Sequence, residues 1–262
     1  MEQWVRYQTA DGVATVTLDR PDAMNALDEA VKEQLLAAVT EAAEDPAVRA
    51  VLLAGTGRAF CVGQDLRSHA KLLASSAEQV WTTVTDHYNP ITLALATMPK
   101  PVVAAVNGVA AGAGAGFAFA CDFRVAARTA GFNLAFAAVG LTADSGTSWT
   151  LQRLVGYGRA TELLLRPRTI PAEEALALGM VHEVVEEAEV LGRATELVTE
   201  LAAGPTTAYA ALKESLAYSA AHPLPAALER EGELQIRCGT TEDHRNAVEA
   251  FLARGKPVFR GR

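Results

Sequence analysis

The first stretch to alternate apolar and polar positions is "WVRYQT-ADG-VATVTLDR", in which two β-rich runs flank an Asp-Gly pair. That pattern predicts a β-hairpin closed by a tight turn. Asp28 then precedes a run in which Val31, Leu35 and Val39 recur every four residues, which predicts a helix with Asp28 as its N-cap. "VRAVLLAG" and "KPVVAAVNG" are unbroken apolar runs and read as buried strands. "GRAFCVGQDL" reads as a loop after the first, and the small-residue run "VAAGAGAGFAFACD" comes after the second. Residues 77 to 97 read as mostly helical with an interruption at Pro90, and "FRVAAR" and "AGFNLAF" as short strands. From Arg159 onward the pattern is mainly helical, broken at Pro171, Pro205, Pro223 and Pro257. Strands alternating with helices predict an α/β fold with largely parallel pairing. A composition shift at Gly204-Pro205 divides a core, residues 1–204, from a C-terminal helical region, residues 205–262.

Composition narrows the function classes. The 262 residues are half apolar, enough for a substantial core, and carry a formal net charge of −8. That charge argues against nucleic acid or an anionic membrane as the main partner, while leaving room for an anionic small molecule in a local pocket. Cys61, Cys121 and Cys238 form no CxxC pair, which fits a reducing compartment. The five histidines never fall at ligand spacing, so no metal site is expected. The N-terminus has neither a signal-peptide nor a transit-peptide pattern, and no apolar run is long enough for a membrane span; the expected setting is the cytoplasm.

Three segments are dense in glycine and alanine where core packing favours larger side chains: residues 57–66, 107–122 and 140–149. Glycine lets another backbone or a ligand approach closely, and a small-residue run that opens a helix presents free N–H groups to an anion. Tight helix-to-sheet packing explains any one of them equally well. The GxGxG spacing is not the GxGxxG of a dinucleotide fold, and no phosphate-cradling P-loop is present.

Taken together, "VTLDRPDAMNALD", "GRAFCVGQDL" and "KPVVAAVNGVAAGAGAGFAFACDFRVA" resemble the N-terminal loop, the AFxxGxDL loop and the central signature of the crotonase superfamily, the enoyl-CoA hydratases and isomerases. The resemblance implies a spiral of ββα turns followed by C-terminal helices that build a homo-trimer or a dimer of trimers. It implies an acyl-CoA thioester substrate and no separate cofactor, coenzyme A being part of the substrate. It also implies an oxyanion hole made by the backbone N–H groups of Gln64 and Ala113. Proton removal α to a thioester builds negative charge on its carbonyl oxygen, and fixed N–H dipoles stabilise that charge by a few kcal/mol per donor.

The resemblance to hydratases breaks where their two glutamates belong, because Gly116 and Phe136 stand at those positions. Asp144, in "GLTADSGTSWTLQRLVG", is the carboxylate that remains. An acid at this loop position resembles the superfamily's isomerases, including those acting on ring-1,2-epoxyphenylacetyl-CoA, and "HYNPI" and the C-terminal "DHRNAVEAFLARGKPVFRGR" extend the likeness. One carboxylate suffices for a 1,3-proton shift, and apolar neighbours such as Val139, Leu141, Ala143, Phe136 and Trp149 would raise its proton affinity. Read locally, Asp144 suits a helix N-cap, a role Ser145 is also able to fill.

By the same resemblance, Arg20, Ala23 and Asn25 lie where a CoA-contacting loop begins, and Ala59 and Leu66 border the adenine and pantetheine path. Cys61, Gly63, Asp65, Gly112, Gly116, Phe136 and Leu141 complete the expected substrate-binding set, with Asp65 orienting its loop or capping the next element. His87 and Tyr88 are candidates for the acyl pocket, His69, Arg67 and Lys71 for the pantetheine or phosphates, and Lys256 for a phosphate. The leading expectation is an acyl-CoA isomerase. Its rivals are a hydratase using Asp144 with another group, a dehalogenase-type nucleophile at Asp144, and a non-catalytic acyl-CoA-binding homologue.

Overall fold

A computed structural model describes residues 2–75 and 82–262 of the chain. The hairpin forms as expected. Strands β1 (Val5–Ala10) and β2 (Val13–Leu18) pair antiparallel, and Asp11 and Gly12 both take positive φ in the turn between them. Helix α1 (Glu29–Glu44) starts at Asp28, whose side chain accepts the Val31 N–H at 3.0 Å. Its buried face carries Val31, Leu35, Ala38, Val39 and Ala42.

The chain then repeats one motif three times. β3 (Ala50–Gly55) is followed by β4 (Ala59–Cys61) and helix α2 (Leu66–Ser75). After α3 (Asn89–Thr97), β5 (Val102–Val106) is followed by β6 (Val109–Ala111) and α4 (Ala113–Ala120). β7 (Phe123–Ala127) is followed by β8 (Gly131–Asn133) and α5 (Thr147–Val155). In each turn the first strand joins one sheet and the second joins another. The six-stranded sheet runs β1-β2-β3-β5-β7-β10, with β10 at Glu183–Val185, and the four-stranded sheet runs β4-β6-β8-β9, with β9 at Thr169–Pro171. Pairing is parallel except at β1·β2 and β8·β9. This is the expected spiral of ββα turns. Strands β3, β5 and β7 are buried almost throughout, which is why their sequences read as continuous apolar runs.

Several expectations need correction. Ala59–Cys61, read as loop, is a strand. Pro90 does not interrupt a helix; it sits in the first turn of α3, where its missing N–H is harmless, directly after a π-helical turn at Val84–Tyr88. The first part of the 77–97 prediction lies outside the described residues. Pro171, Pro205 and Pro223 stand immediately before the helices Ala172–Ala177, Thr206–Ser219 and Leu224–Gly239, so these prolines start helices. Strands β9 and β10 fall within the region read as mainly helical.

The C-terminal helices end at Glu242–Leu252. Arg49 ties the region to the core, its guanidinium donating to Thr206 Oγ1 at 3.1 Å and to the carbonyls of Phe259 at 3.0 Å and Gly204 at 2.5 Å. Among the described residues, no helix is long and apolar enough to cross a membrane.

Asn25, expected at the CoA loop, is instead a structural hub with no exposed surface. Its amide donates to the carbonyls of Thr56, Ala59 and Phe60, and its oxygen accepts the Arg20 N–H at 2.9 Å. Asn25→Ala strands these buried carbonyls and is expected to lower unfolding free energy by about 2–3 kcal/mol, read from urea denaturation.

Candidate functional site

The site forms where the first and second of these repeats touch. Gly63, in the segment between β4 and α2, has φ +78°, and a Cβ added there would lie 2.8 Å from the Ala111 carbonyl and 3.2 Å from the Ala113 nitrogen. The two backbones therefore meet with no room for a side chain. Gly112 turns the chain from β6 into α4 with φ +50° and ψ −125°, a conformation that suits glycine. Ala113 opens α4, so its N–H has no acceptor within the helix. The Gln64 N–H is also outside the backbone network, since the bridge to Leu27 uses Gly63 O and the Asp65 N–H instead. Two backbone donors with no acceptor among the described residues thus sit on adjoining segments and border one cavity.

That cavity holds about 670 Å³. Among the sequence candidates, Arg20, Ala23, Gln64, Asp65, Leu66, Gly112, Ala113, Phe136, Leu141 and Asp144 line it, as do Arg67, His69, Tyr88 and Val139. Asn25, Ala59, Cys61, Gly63 and Gly116 do not, and each has a structural reason. Ala59 is a buried residue of strand β4, its carbonyl bound by Asn25. Cys61 is fully buried, its thiol donating to the Asn25 carbonyl, and burial pushes its pKa up to about 12, which makes it inert. Gly63 sets the backbone approach from behind. Gly116 lies beneath the loop that carries Asp144, where an added Cβ would come within 2.7 Å of both Cβ and the carbonyl oxygen of Ser145.

Asp144 is half-buried, and among the described residues its carboxylate accepts one hydrogen bond, from the Ser145 hydroxyl at 2.9 Å. Burial raises its pKa above the ordinary carboxylate value, partly offset by that bond. Neither capping reading holds, because α5 is preceded by Gly146 and no side chain caps it. The backbone carbonyl of Asp144 receives the Thr147 N–H, leaving the carboxylate for the cavity. Ser145 and Gly146 take φ +50° and +68° to make this sharp turn. Of the apolar neighbours expected, Val139, Leu141 and Phe136 line the cavity, whereas Trp149 stacks under Arg153 outside it.

The other two carboxylates of the cavity differ. Asp22 is exposed, on the loop beside Ala23. Asp65 both caps and orients: Oδ1 accepts the Arg67 and Ser68 N–H groups, and Oδ2 pairs with Arg20 at 2.8 Å. Although burial alone would raise its pKa, these bonds and the Arg20 charge bring it below the usual value. Arg20 also contacts Asp28 at 3.3 Å and the Ala26 carbonyl, so its guanidinium clamps the loop.

Sequence reasoning grouped His87 with Tyr88, but only Tyr88 lines this cavity. Its hydroxyl donates to the Gln64 side-chain oxygen, a link between distant segments that no motif signalled. Burial, then the Asp144 charge, raises its pKa, so Tyr88 is a neutral donor. Lys71 faces a neighbouring cavity, and Lys256 is exposed.

A cavity of this kind, with two backbone donors and one proton-hungry carboxylate, can hold an enolate-like oxygen while a proton moves. The comparisons agree on the class. The family model described as enoyl-CoA hydratase/isomerase matches residues 8–262. The chain belongs to this family, a branch of the crotonase superfamily. It is 41% identical over 258 residues, 98% of each chain, to a Rhodobacter capsulatus protein named "Probable enoyl-CoA hydratase". It is 37% identical over the full length of both chains to the 1,2-epoxyphenylacetyl-CoA isomerase of Escherichia coli. A solved structure from Mycobacterium abscessus, named for the same family, superposes with a TM-score of 0.96 at 47% identity, covering 98% of this chain and all of that one.

Gly63→Ala is expected to push the two loops apart. Turnover of an acyl-CoA substrate should fall on the order of 10²-fold or more, with the circular dichroism spectrum retained. Unchanged turnover would separate the two N–H groups from the reaction.

Proposed function

We propose that the protein is an acyl-CoA isomerase that moves a double bond from the 3,4 to the 2,3 position, with Asp144 as the single proton carrier. The supporting observation is the contrast among the cavity's carboxylates: Asp22 is exposed and Asp65 pairs with Arg20, whereas Asp144 is half-buried, without a cationic partner among the described residues and with raised proton affinity. The Asp144 carboxylate takes the proton from C2 of a 3-enoyl thioester. The electron pair shifts into a dienolate whose oxygen rests on the Gln64 and Ala113 N–H groups. The Asp144 acid then returns the proton at C4, leaving the 2,3 double bond. The same donors and acid are suited to assist opening of a ring epoxide next to the thioester. The backbone dipoles supply the electrophile, so the reaction calls for no resident cofactor.

Relatives' names point to both hydration and isomerisation. The site chemistry favours the second, because Gly116 and Phe136 offer no carboxylate to activate water. We also propose that exposed Leu216, Ile236, Phe251 and Leu252 on the C-terminal helices pack against further copies of the chain, as a trimer or dimer of trimers requires.

Asp144→Asn is expected to slow conversion of a 3-enoyl-CoA by at least about 10³-fold while leaving acyl-CoA binding largely intact. Crotonyl-CoA hydration that is rapid and survives this substitution would overturn the reading.

The raised pKa has two consequences of defined sign. Catalysis by a carboxylate base is lost as pH falls through that pKa, so the acid limb of kcat/KM should lie above the ordinary carboxylate range. Between the ordinary pKa and the raised one, the folded chain holds a proton that the unfolded chain has released. Stability therefore falls as pH rises through that window, and Asp144→Asn should raise the melting temperature at neutral pH.

A further inference from the structure

A second cavity of about 640 Å³ adjoins the first, and Gln64 and His69 line both. Its remaining wall comes from the start of α1, from α2 and from Thr83 and His87. Whereas the first cavity is mainly apolar, this one is built around a buried cation. Lys32, on α1, is only 3% exposed. Its Nζ donates to Thr83 Oγ1 at 2.5 Å and lies 5.8 Å from the centre of the Tyr88 ring. Thr83 Oγ1 is in turn 3.4 Å from His87 Nδ1. Among the described residues, no carboxylate lies within ion-pair distance of Lys32 Nζ.

Asp28, an acid on this wall, is committed elsewhere: one oxygen caps α1 and the other faces Arg20. Glu29 is exposed at the rim, and Lys71 adds a second cation. An ammonium so buried, with one neutral hydroxyl as its partner among the described residues, is costly to keep charged, and burial lowers its pKa against the opposing charges of Glu29, Asp28 and Glu33. With three donors and one protein acceptor accounted for, it has capacity left for a ligand anion.

We propose that this second cavity receives the far end of the acyl group and that Lys32 binds a carboxylate there, which makes dicarboxylic acyl-CoA thioesters a preferred substrate class. The inference rests on the thioester occupying the first cavity as set out under the proposed function. Gln64 lines both cavities, so an acyl chain that starts at its N–H has the second cavity beside it. The Tyr88 hydroxyl donates to the Gln64 side-chain oxygen and holds that side chain at the boundary.

The test uses two unreactive saturated thioesters, adipyl-CoA and hexanoyl-CoA, which have the same chain length and differ in the terminal carboxylate. Isothermal titration calorimetry on the full-length protein should show adipyl-CoA binding about ten-fold or more tightly than hexanoyl-CoA, the usual scale for one buried charge-assisted contact. Lys32→Met should remove that preference and leave hexanoyl-CoA affinity within about two-fold of its starting value. Should Lys32→Met fail to fold, Lys32→Gln keeps a donor for Thr83 while losing the charge, and the same loss of preference is expected. A purely structural lysine would weaken both thioesters equally. Equal binding in the unmodified protein, or a preference that survives loss of the charge, overturns the proposal, and so does failure of both thioesters to bind. Neither probe reacts, so a negative isomerase assay leaves this result standing, and equal binding leaves the isomerase reading standing.

Discussion

The structure depends on one constraint, the contact of two backbones at Gly63 and Ala111–Ala113. Consecutive turns of the spiral must come close enough for N–H groups of different segments to face one cavity, and a Cβ at Gly63 would collide with the Ala111 carbonyl. The surrounding packing enforces the same approach. Gly114 passes directly over the Cys61 backbone, Gly108 over Arg58, and Asn25 collects the carbonyls of the turn that leads into β4. Side chains here are small because the useful atoms belong to the backbone. A fixed N–H dipole needs no reorganisation when charge develops on a neighbouring oxygen, which is the physical advantage of building a donor pair from the main chain.

Gly116 shows how that packing determines where an acid can stand. Its Cα lies against Ser145 and Thr147, so the lack of a side chain at 116 lets the Asp144 loop settle onto α4. A glutamate at 116 and an aspartate held as Asp144 is held here compete for the same volume. The bare backbone at 116 and the placement of Asp144 are therefore one structural feature. The left-handed conformations of Ser145 and Gly146 belong to it, because they turn the Asp144 side chain toward the cavity and its carbonyl toward α5.

Much of this was legible in the sequence for identifiable reasons. The hairpin, the α1 cap and the buried strands arise from periodicity and local capping, which act over a few residues. The glycine-rich segments marked the places of close approach, and the order of three motifs marked the spiral. Roles that depend on contacts between distant segments were not legible. Asn25 sits in a loop expected to touch ligand, yet its partners are 31 to 35 residues away, so it is a hub. Tyr88 and Gln64 meet across 24 residues without any shared pattern. Local chemistry made Asp144 a plausible cap; only the packing of Gly116 beneath it, and Gly146 in front of α5, shows why its carboxylate is left to the cavity.

Gln64 joins these threads, because it lines both cavities and its side-chain oxygen accepts the Tyr88 hydroxyl. Tyr88, kept neutral by burial and by the nearby Asp144 charge, keeps its hydroxyl proton for the Gln64 hydrogen bond. It can therefore hold the Gln64 oxygen without entering the acid–base chemistry. The same ring also faces Lys32, so the aromatic wall stands between an acid that gains proton affinity from burial and a cation that loses it. Burial shifts both groups toward their neutral forms, which limits the direct attraction that would otherwise draw the two charges together across the site. The separation keeps the two groups chemically independent, one beside the backbone donors and the other beside the second cavity.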